Sequence, residues 1–185
     1  MRVISGEFRG RRLDAVSGDQ TRPTADKVKE SMFNMLGPYF DGGQVLDLYA
    51  GTGALGIEAV SRGMAHATAV DRQYAAIKTI RNNIDKLGAK DRFTVMKAPV
   101  EKALASLKGQ QFDLIMADPP YAKQAVLTQL ASFLALDLLT GNGRVMLETG
   151  LDVDYPEEIP GYIKLRHQTY GVAQVLILKK AVAHE

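Results

Sequence analysis

The chain contains no cysteine. That excludes disulfides, a thiolate nucleophile and any zinc site built on cysteine sulfur, and it suits a reducing compartment. No uninterrupted apolar run approaches the roughly 20 residues that cross a bilayer. The opening residues, MRVISGEFRG, hold no apolar core of a secretory signal. These gaps set the expectation of a cytoplasmic protein. His66, His167 and His184 are scattered without ligand spacing, so no metal site is expected. Internal repeats, low-complexity tracts and Ser/Gly linkers are also missing. At 185 residues this favours one domain with a substantial core.

Strong charge is lacking too, since the net value of +2 is too small to announce a nucleic-acid binder. Its distribution says more. Residues 1 to 13 hold Arg2, Arg9, Arg11 and Arg12 against Glu7 alone, and Arg22, Lys27 and Lys29 follow. Such a cluster can neutralise phosphates, and it can equally be a solvated charged face. The remaining composition, 46% hydrophobic and 24% charged, is ordinary for a globular protein.

The patterning divides the chain into a small basic attachment, residues 1–24, and a core, residues 25–180. MRVISG and RRLDAV, separated by EFRG, read as a short N-terminal hairpin. Val28, Met32, Met35 and Leu36 recur on one helical face until Gly37-Pro38 stops it, with the methionines as core filler. From Gln44 strands and helices alternate. QVLDLY, HATAVD, RFTVMK, FDLIMA and GRVMLET read as strands, separated by helices over ALGIEAVSRG, Tyr74 to Leu87, Val100 to Leu107 and Gln124 to Leu136. This rhythm implies right-handed crossovers and a doubly wound, Rossmann-like α/β sheet. YIKLRHQTY and GVAQVLILKK have only a tight turn between them, so they form a C-terminal antiparallel hairpin on one edge.

In such sheets ligands bind beyond the carboxyl ends of the strands, where strands one and four are neighbours. The first strand runs into AGTGALG, whose Gly51, Gly53 and Gly56 spell G-x-G-x-x-G, with Asp71 at the tip of the second strand. That is the nominal dinucleotide fingerprint, and it is also what any tight strand-to-helix turn beside a surface acid looks like. Asp47, four residues before Gly51, bears on the choice of ligand. A carboxylate aimed into the crevice repels a pyrophosphate and welcomes a cation. S-adenosylmethionine meets that demand, with a sulfonium, an ammonium and no phosphate, while Asp71 suits the ribose diol of either ligand. The fourth strand ends in Asp118-Pro119-Pro120-Tyr121. Two prolines fix two φ angles, remove two donors and hold the acid and the ring in place.

The D-P-P-Y turn resembles the signature of S-adenosylmethionine-dependent methyltransferases that modify exocyclic amino groups of bases. Taken with RGRRLDAV, TRPTADKVKESMFNML, DLYAGTGALGIEAVSRG, DLIMADPPY and TYGVAQVLIL, in that order and spacing, nearly the entire chain resembles the RsmD family. Those are bacterial enzymes that methylate a guanine N2 in 16S ribosomal RNA, the nucleotide implied here being guanine 966. The resemblance implies S-adenosylmethionine held by Asp47, Tyr49, Ala50, Gly51, Thr52, Gly53, Asp71 and Arg72, with the adenine against backbone groups near Lys97 and Ala98. It implies catalysis at Asp118, Pro119, Pro120 and Tyr121. It implies RNA positioning by Arg9, Arg11, Arg12, Arg22, Pro23, Thr24 and Asp26. An assembled or assembling 30S particle is the expected substrate, and a monomer the expected state. The alternatives on residues alone are an amino-methyltransferase acting on DNA adenine or protein, a non-catalytic RNA-binding assembly factor, and, more distantly, a nicotinamide dehydrogenase.

Overall fold

The computed structural model describes residues 1–17, 26–119 and 123–182. Arg22, Pro23, Thr24, Pro120, Tyr121 and His184 lie outside the described residues. After an N-terminal arm come α1 (Asp26–Leu36), β1 (Gln44–Leu48), α2 (Ala54–Ser61), β2 (His66–Asp71), α3 (Tyr74–Lys86), β3 (Phe93–Lys97) and α4 (Val100–Ser106). β4 (Phe112–Ala117), α5 (Lys123–Ala135), β5 (Leu139–Gly150), β6 (Tyr162–Tyr170) and β7 (Ala173–Lys180) complete the chain. The seven strands form one sheet in the order β3-β2-β1-β4-β5-β7-β6. β1 to β5 pair in parallel, and β7 pairs antiparallel with both β5 and β6. The doubly wound sheet with its C-terminal hairpin is therefore as the sequence implies.

Alternation along the strands assigns each side chain to a layer. Val45, Ala67, Ala69, Leu114 and Met116 face the arm, α1, α2 and α3. Leu46, Leu48, Val70, Ile115 and Ala117 face α4 and α5. Both faces of the parallel strands are covered, so each strand reads as a nearly continuous apolar run. The arm contributes Val3, Phe8 and Leu13 to the same core as Ile57, Val60, Ile77 and Ile80.

The N-terminal hairpin is short. An antiparallel bridge joins Arg2 to Arg12, and Val3 donates to the Arg11 carbonyl at 2.9 Å, Gly10 to the Val3 carbonyl at 2.8 Å and Leu13 to the Met1 carbonyl at 3.0 Å. Other amides of the arm anchor it to the core. Ile4 and Ser5 donate to the two oxygens of Glu58 at 2.9 and 3.1 Å, Glu7 donates to the Ser61 carbonyl at 2.8 Å, and Phe8 donates to Ser61 Oγ at 2.9 Å. Helix α2 thus satisfies the arm amides that the hairpin's own pairing leaves over. One expectation needs correction: the fifth strand begins at Leu139, ahead of Gly143, because an irregularity in its pairing with β4 absorbs the turn-like Thr140-Gly141-Asn142-Gly143.

The seat of the arm is a buried charge cluster. Glu58 is paired with Lys29 at 3.4 Å and with Arg62 at 2.7 Å, and all three side chains are at most 2% exposed. Lys29 also donates to the Arg2 carbonyl at 2.7 Å, and Arg62 donates to the Pro38 carbonyl at 3.1 Å. Burial pushes the Lys29 ammonium below its ordinary range, with Glu58 pulling it back up. Every charge here has a partner and further hydrogen bonds, as buried ions require.

Candidate active site

The crevice lies where β1 and β4 end side by side. Leu48 is in register with Ala117, so the next residues, Tyr49 and Asp118, stand at neighbouring strand tips. β1 then turns through Ala50, Gly51, Thr52 and Gly53 into α2. The Ala50 amide bonds the Val70 carbonyl at 3.0 Å, and the Gly53 amide bonds the Ala50 carbonyl at 2.8 Å. Asp71, at the tip of β2, accepts the Gly51 amide at 3.0 Å with one oxygen and the Gln73 amide at 2.9 Å with the other. Each carboxylate oxygen keeps further acceptor capacity toward the crevice.

The glycines divide their work. Gly51 has φ +58°, and a Cβ built there meets nothing within 4 Å, so the space above the loop is open for a ligand. Gly56 is needed for a different reason. A Cβ there would lie 3.1 Å from Asp47 Oδ2, which accepts the Gly56 amide at 3.0 Å. Close helix-to-strand approach is the third-glycine role in this type of turn.

That bond corrects the reading of Asp47 as an anion lining the crevice. Its side chain is 1% exposed and lies beneath the loop. Burial pushes its carboxyl up to about 8; the Gly56 amide pulls down, while Asp71 and Asp118 push further up. Asp47 is therefore mostly protonated at neutral pH in this structure, and the negative potential of the crevice comes from its two neighbours. Asp118 keeps a solvent-facing side, yet the protein around it strips part of its hydration and raises its carboxyl above the ordinary range. Pro119, directly after it, is buried.

The remaining expected residues fall around this centre. Arg72 and Lys97 are exposed, Lys97 in register with Asp71, and the Ala98 amide is used by the Asp71 carbonyl at 3.1 Å. On the arm, Arg9, Arg11 and Arg12 are exposed, and Arg11 donates to the Lys86 carbonyl at 2.7 Å. Asp26 pairs with Arg2 at 3.3 Å.

Two buried amides that sequence reasoning missed tie the crevice to its surroundings. Asn83 donates to the Thr52 carbonyl at 3.0 Å and to the Asp14 carbonyl at 3.2 Å, and accepts the Asp14 amide at 2.7 Å. It thereby connects the glycine loop to the arm. Gln129 donates to Tyr49 Oη at 2.7 Å, linking the first loop to the helix that follows the Asp-Pro-Pro turn. Tyr49 has φ 56°, an uncommon conformation for a side-chain-bearing residue. The signal for Asn83 was its position, a polar residue at helical spacing within the stripe Ile77, Ile80, Ile84.

An open glycine cradle, a carboxylate across it and a second carboxylate at the adjoining tip suit a ligand that combines hydroxyls with positive charge. A diphosphate would meet Asp71 and Asp118 unfavourably. Among the described residues there is no group of three or more His, Cys, Asp or Glu suited to a metal ion.

Comparison with known proteins fits this geometry. The family model described as conserved hypothetical protein 95 matches residues 1–179. YlbH of Bacillus subtilis (strain 168) is 45% identical over 182 residues, covering 97% of this chain and 99% of that protein. The ribosomal RNA small subunit methyltransferase D of Escherichia coli (strain K12) is 37% identical over 123 residues, or 66% of this chain and 61% of that protein. The solved structure of yhhF from Escherichia coli superimposes with a TM-score of 0.87 at 28% identity, covering 99% of both chains.

Proposed function

The chain belongs to the conserved hypothetical protein 95 family, and on that premise we propose that it methylates the exocyclic N2 of a guanine in 16S ribosomal RNA, guanine 966, within an assembled or assembling 30S particle. It is an S-adenosylmethionine-dependent methyltransferase related to the small-subunit ribosomal RNA methyltransferases. The observation that carries the finer reading is the register of β1 against β4, which sets Asp118 and Pro119 beside the glycine loop.

S-adenosylmethionine supplies an electrophilic methyl group on a sulfonium. Gly51 and Gly53 would let the backbone approach it, and Asp71 would face its ribose diol. Asp47 acts from below, fastening the loop to β1 through the Gly56 amide. At the other side of the crevice, the Asp118 carboxylate and the Pro119 carbonyl accept the two N–H groups of the guanine amine. Those bonds localise a nitrogen lone pair that is otherwise delocalised into the ring, and they aim it. Alignment of this type is worth roughly 7–11 kcal/mol in favourable cases. Asp118 also stabilises the positive charge growing on nitrogen, and the displaced proton leaves through it or to water. Tyr121 stacks on the extruded base. Arg9, Arg11, Arg12, Arg22, Pro23, Thr24 and Asp26 position the RNA.

The test is transfer of labelled methyl to 30S particles and to naked 16S RNA side by side, followed by nucleoside analysis. N2-methylguanosine from the particle is the expected product. Transfer to DNA or protein, or donor binding without transfer to either RNA form, would overturn the reading.

A further inference from the structure

Away from the crevice, the arm and α1 enclose a cleft of about 410 Å³. Its walls carry Arg2, Ser5, Arg9, Glu30, Asn34 and Tyr39. We propose that this cleft is a second RNA-docking pocket, which takes one unpaired nucleotide with its phosphate between Arg2 and Arg9 and its base on the Tyr39 ring. The proposal rests on the reading of RNA as substrate, and it adds a site that the crevice does not contain.

Three features point to this ligand class. The volume lies in the range of small-ligand pockets, roughly 300–1,000 Å³. The Tyr39 ring is 63% exposed, although a large aromatic would ordinarily be covered. Its hydroxyl is held by Ser5 Oγ at 2.7 Å, which fixes the ring as a platform. Single-stranded nucleic acids are bound by such aromatic faces beside cationic groups, each stacked base being worth about 1–3 kcal/mol.

Charge gives the pocket a direction. Among the described residues Arg9 has no ion-pair partner, and the Arg2 pair with Asp26 is exposed, with side chains 64% and 44% accessible. Beneath the cleft, Lys29 and Arg62 share the one carboxylate of Glu58, leaving residual positive charge in the floor. Glu30 opposes an anion on the α1 side. It therefore confines the phosphate to the arm side, and its carboxylate can accept an amino group of a base.

Position completes the case. α2 leads from Gly53 at the glycine loop to Arg62 in the cleft, and its eight residues span about 12 Å. A nucleotide here is thus a neighbour of the target base along a folded strand, too far away to be the target itself. An apolar protein partner fits poorly, because Arg2, Ser5, Arg9, Glu30 and Asn34 make the walls of the cleft mainly polar.

The experiment uses the full chain and a fluorescein-labelled single-stranded oligoribonucleotide, read by anisotropy across a salt series. Tyr39→Ala and Arg9→Ala should each weaken binding by about tenfold, with Arg9→Ala lowering the log–log salt slope by about one. Tyr39→Phe should keep most of the affinity, since the ring does the stacking. Donor titration by calorimetry should be unchanged in all three, confirming folded protein. Wild-type affinity in both alanine variants overturns the pocket. So does displacement of the oligoribonucleotide by millimolar inorganic phosphate with no effect of Tyr39→Ala, which marks a simple anion site. Methyl transfer separates the two readings. If the wild type methylates particles and both variants keep its KM for them, the pocket fails while the activity stands. If the wild type methylates no RNA yet the variants lose oligoribonucleotide binding, the activity fails while the pocket stands.

Discussion

Two aspartates show how much one side chain's surroundings decide. In the proposed transfer Asp118 is an acceptor, so its ionised form is the working one. With its pKa raised by lost hydration, kcat/KM should fall as pH drops through a limb above the ordinary aspartate range. Asp118→Asn should remove that limb and reduce turnover by about 10²–10³-fold while donor affinity holds. Rate profiles of both proteins, with donor titrations alongside, check this. Asp47 makes a stability prediction. Its carboxyl moves from 3.8 to about 8 on folding, so the folded state binds the extra proton. The stability it contributes is complete below the unfolded value and is lost as pH rises toward 8, at no more than about 1.4 kcal/mol per pH unit. Asp47→Asn keeps an acceptor for the Gly56 amide and should flatten that slope, as urea midpoints at pH 5, 7 and 9 will show. The motif around Asp47 was legible in the sequence, but its charge state was not. A strand pattern says that a residue is at a tip or in a run, while its pKa depends on which backbone covers it from another element.

At the level of elements, regularity made the sequence readable. HATAVD, FDLIMA and YIKLRHQTY coincide with β2, β4 and β6 because each is a compact β-rich run bounded by turn residues. The arm's hairpin was legible too, whereas its anchorage on α2 was not. Glu58 stands within the otherwise apolar ALGIEAV, one turn before its partner Arg62, which hints at a buried acid, yet its other partners lie 29 residues away at Lys29 and on the arm. No local window contains those. Glu58→Ala should therefore act as a strong lesion. It strands two buried cations and leaves the Ile4 and Ser5 amides without acceptors, a cost of about 3–5 kcal/mol. Thermal melts will measure it, and added proteolytic cleavage within residues 1–17 should accompany it. The site was legible in part for the same reason. The glycine loop and the Asp-Pro-Pro turn are local motifs, whereas Asn83 and Gln129 acquire their roles only when α3 and α5 pack against the loop.

For the whole molecule, the sheet order carries the main consequence. β7 is the last strand in the chain, yet it fills an interior slot between β5 and β6, and Val175, Leu176, Ile177 and Leu178 are at most 1% exposed. A protein ending at Gly171 should collect in the insoluble fraction, while one ending at Val182 should stay in solution and melt cooperatively. Fractionation and calorimetry distinguish these outcomes. During synthesis, β6 emerges before the strand that must separate it from β5. The candidate crevice, though formed by residues 47–119, therefore rests on a sheet that stays open until β7 has left the ribosome, and a nascent chain short of that strand holds its glycine loop on an unfinished support.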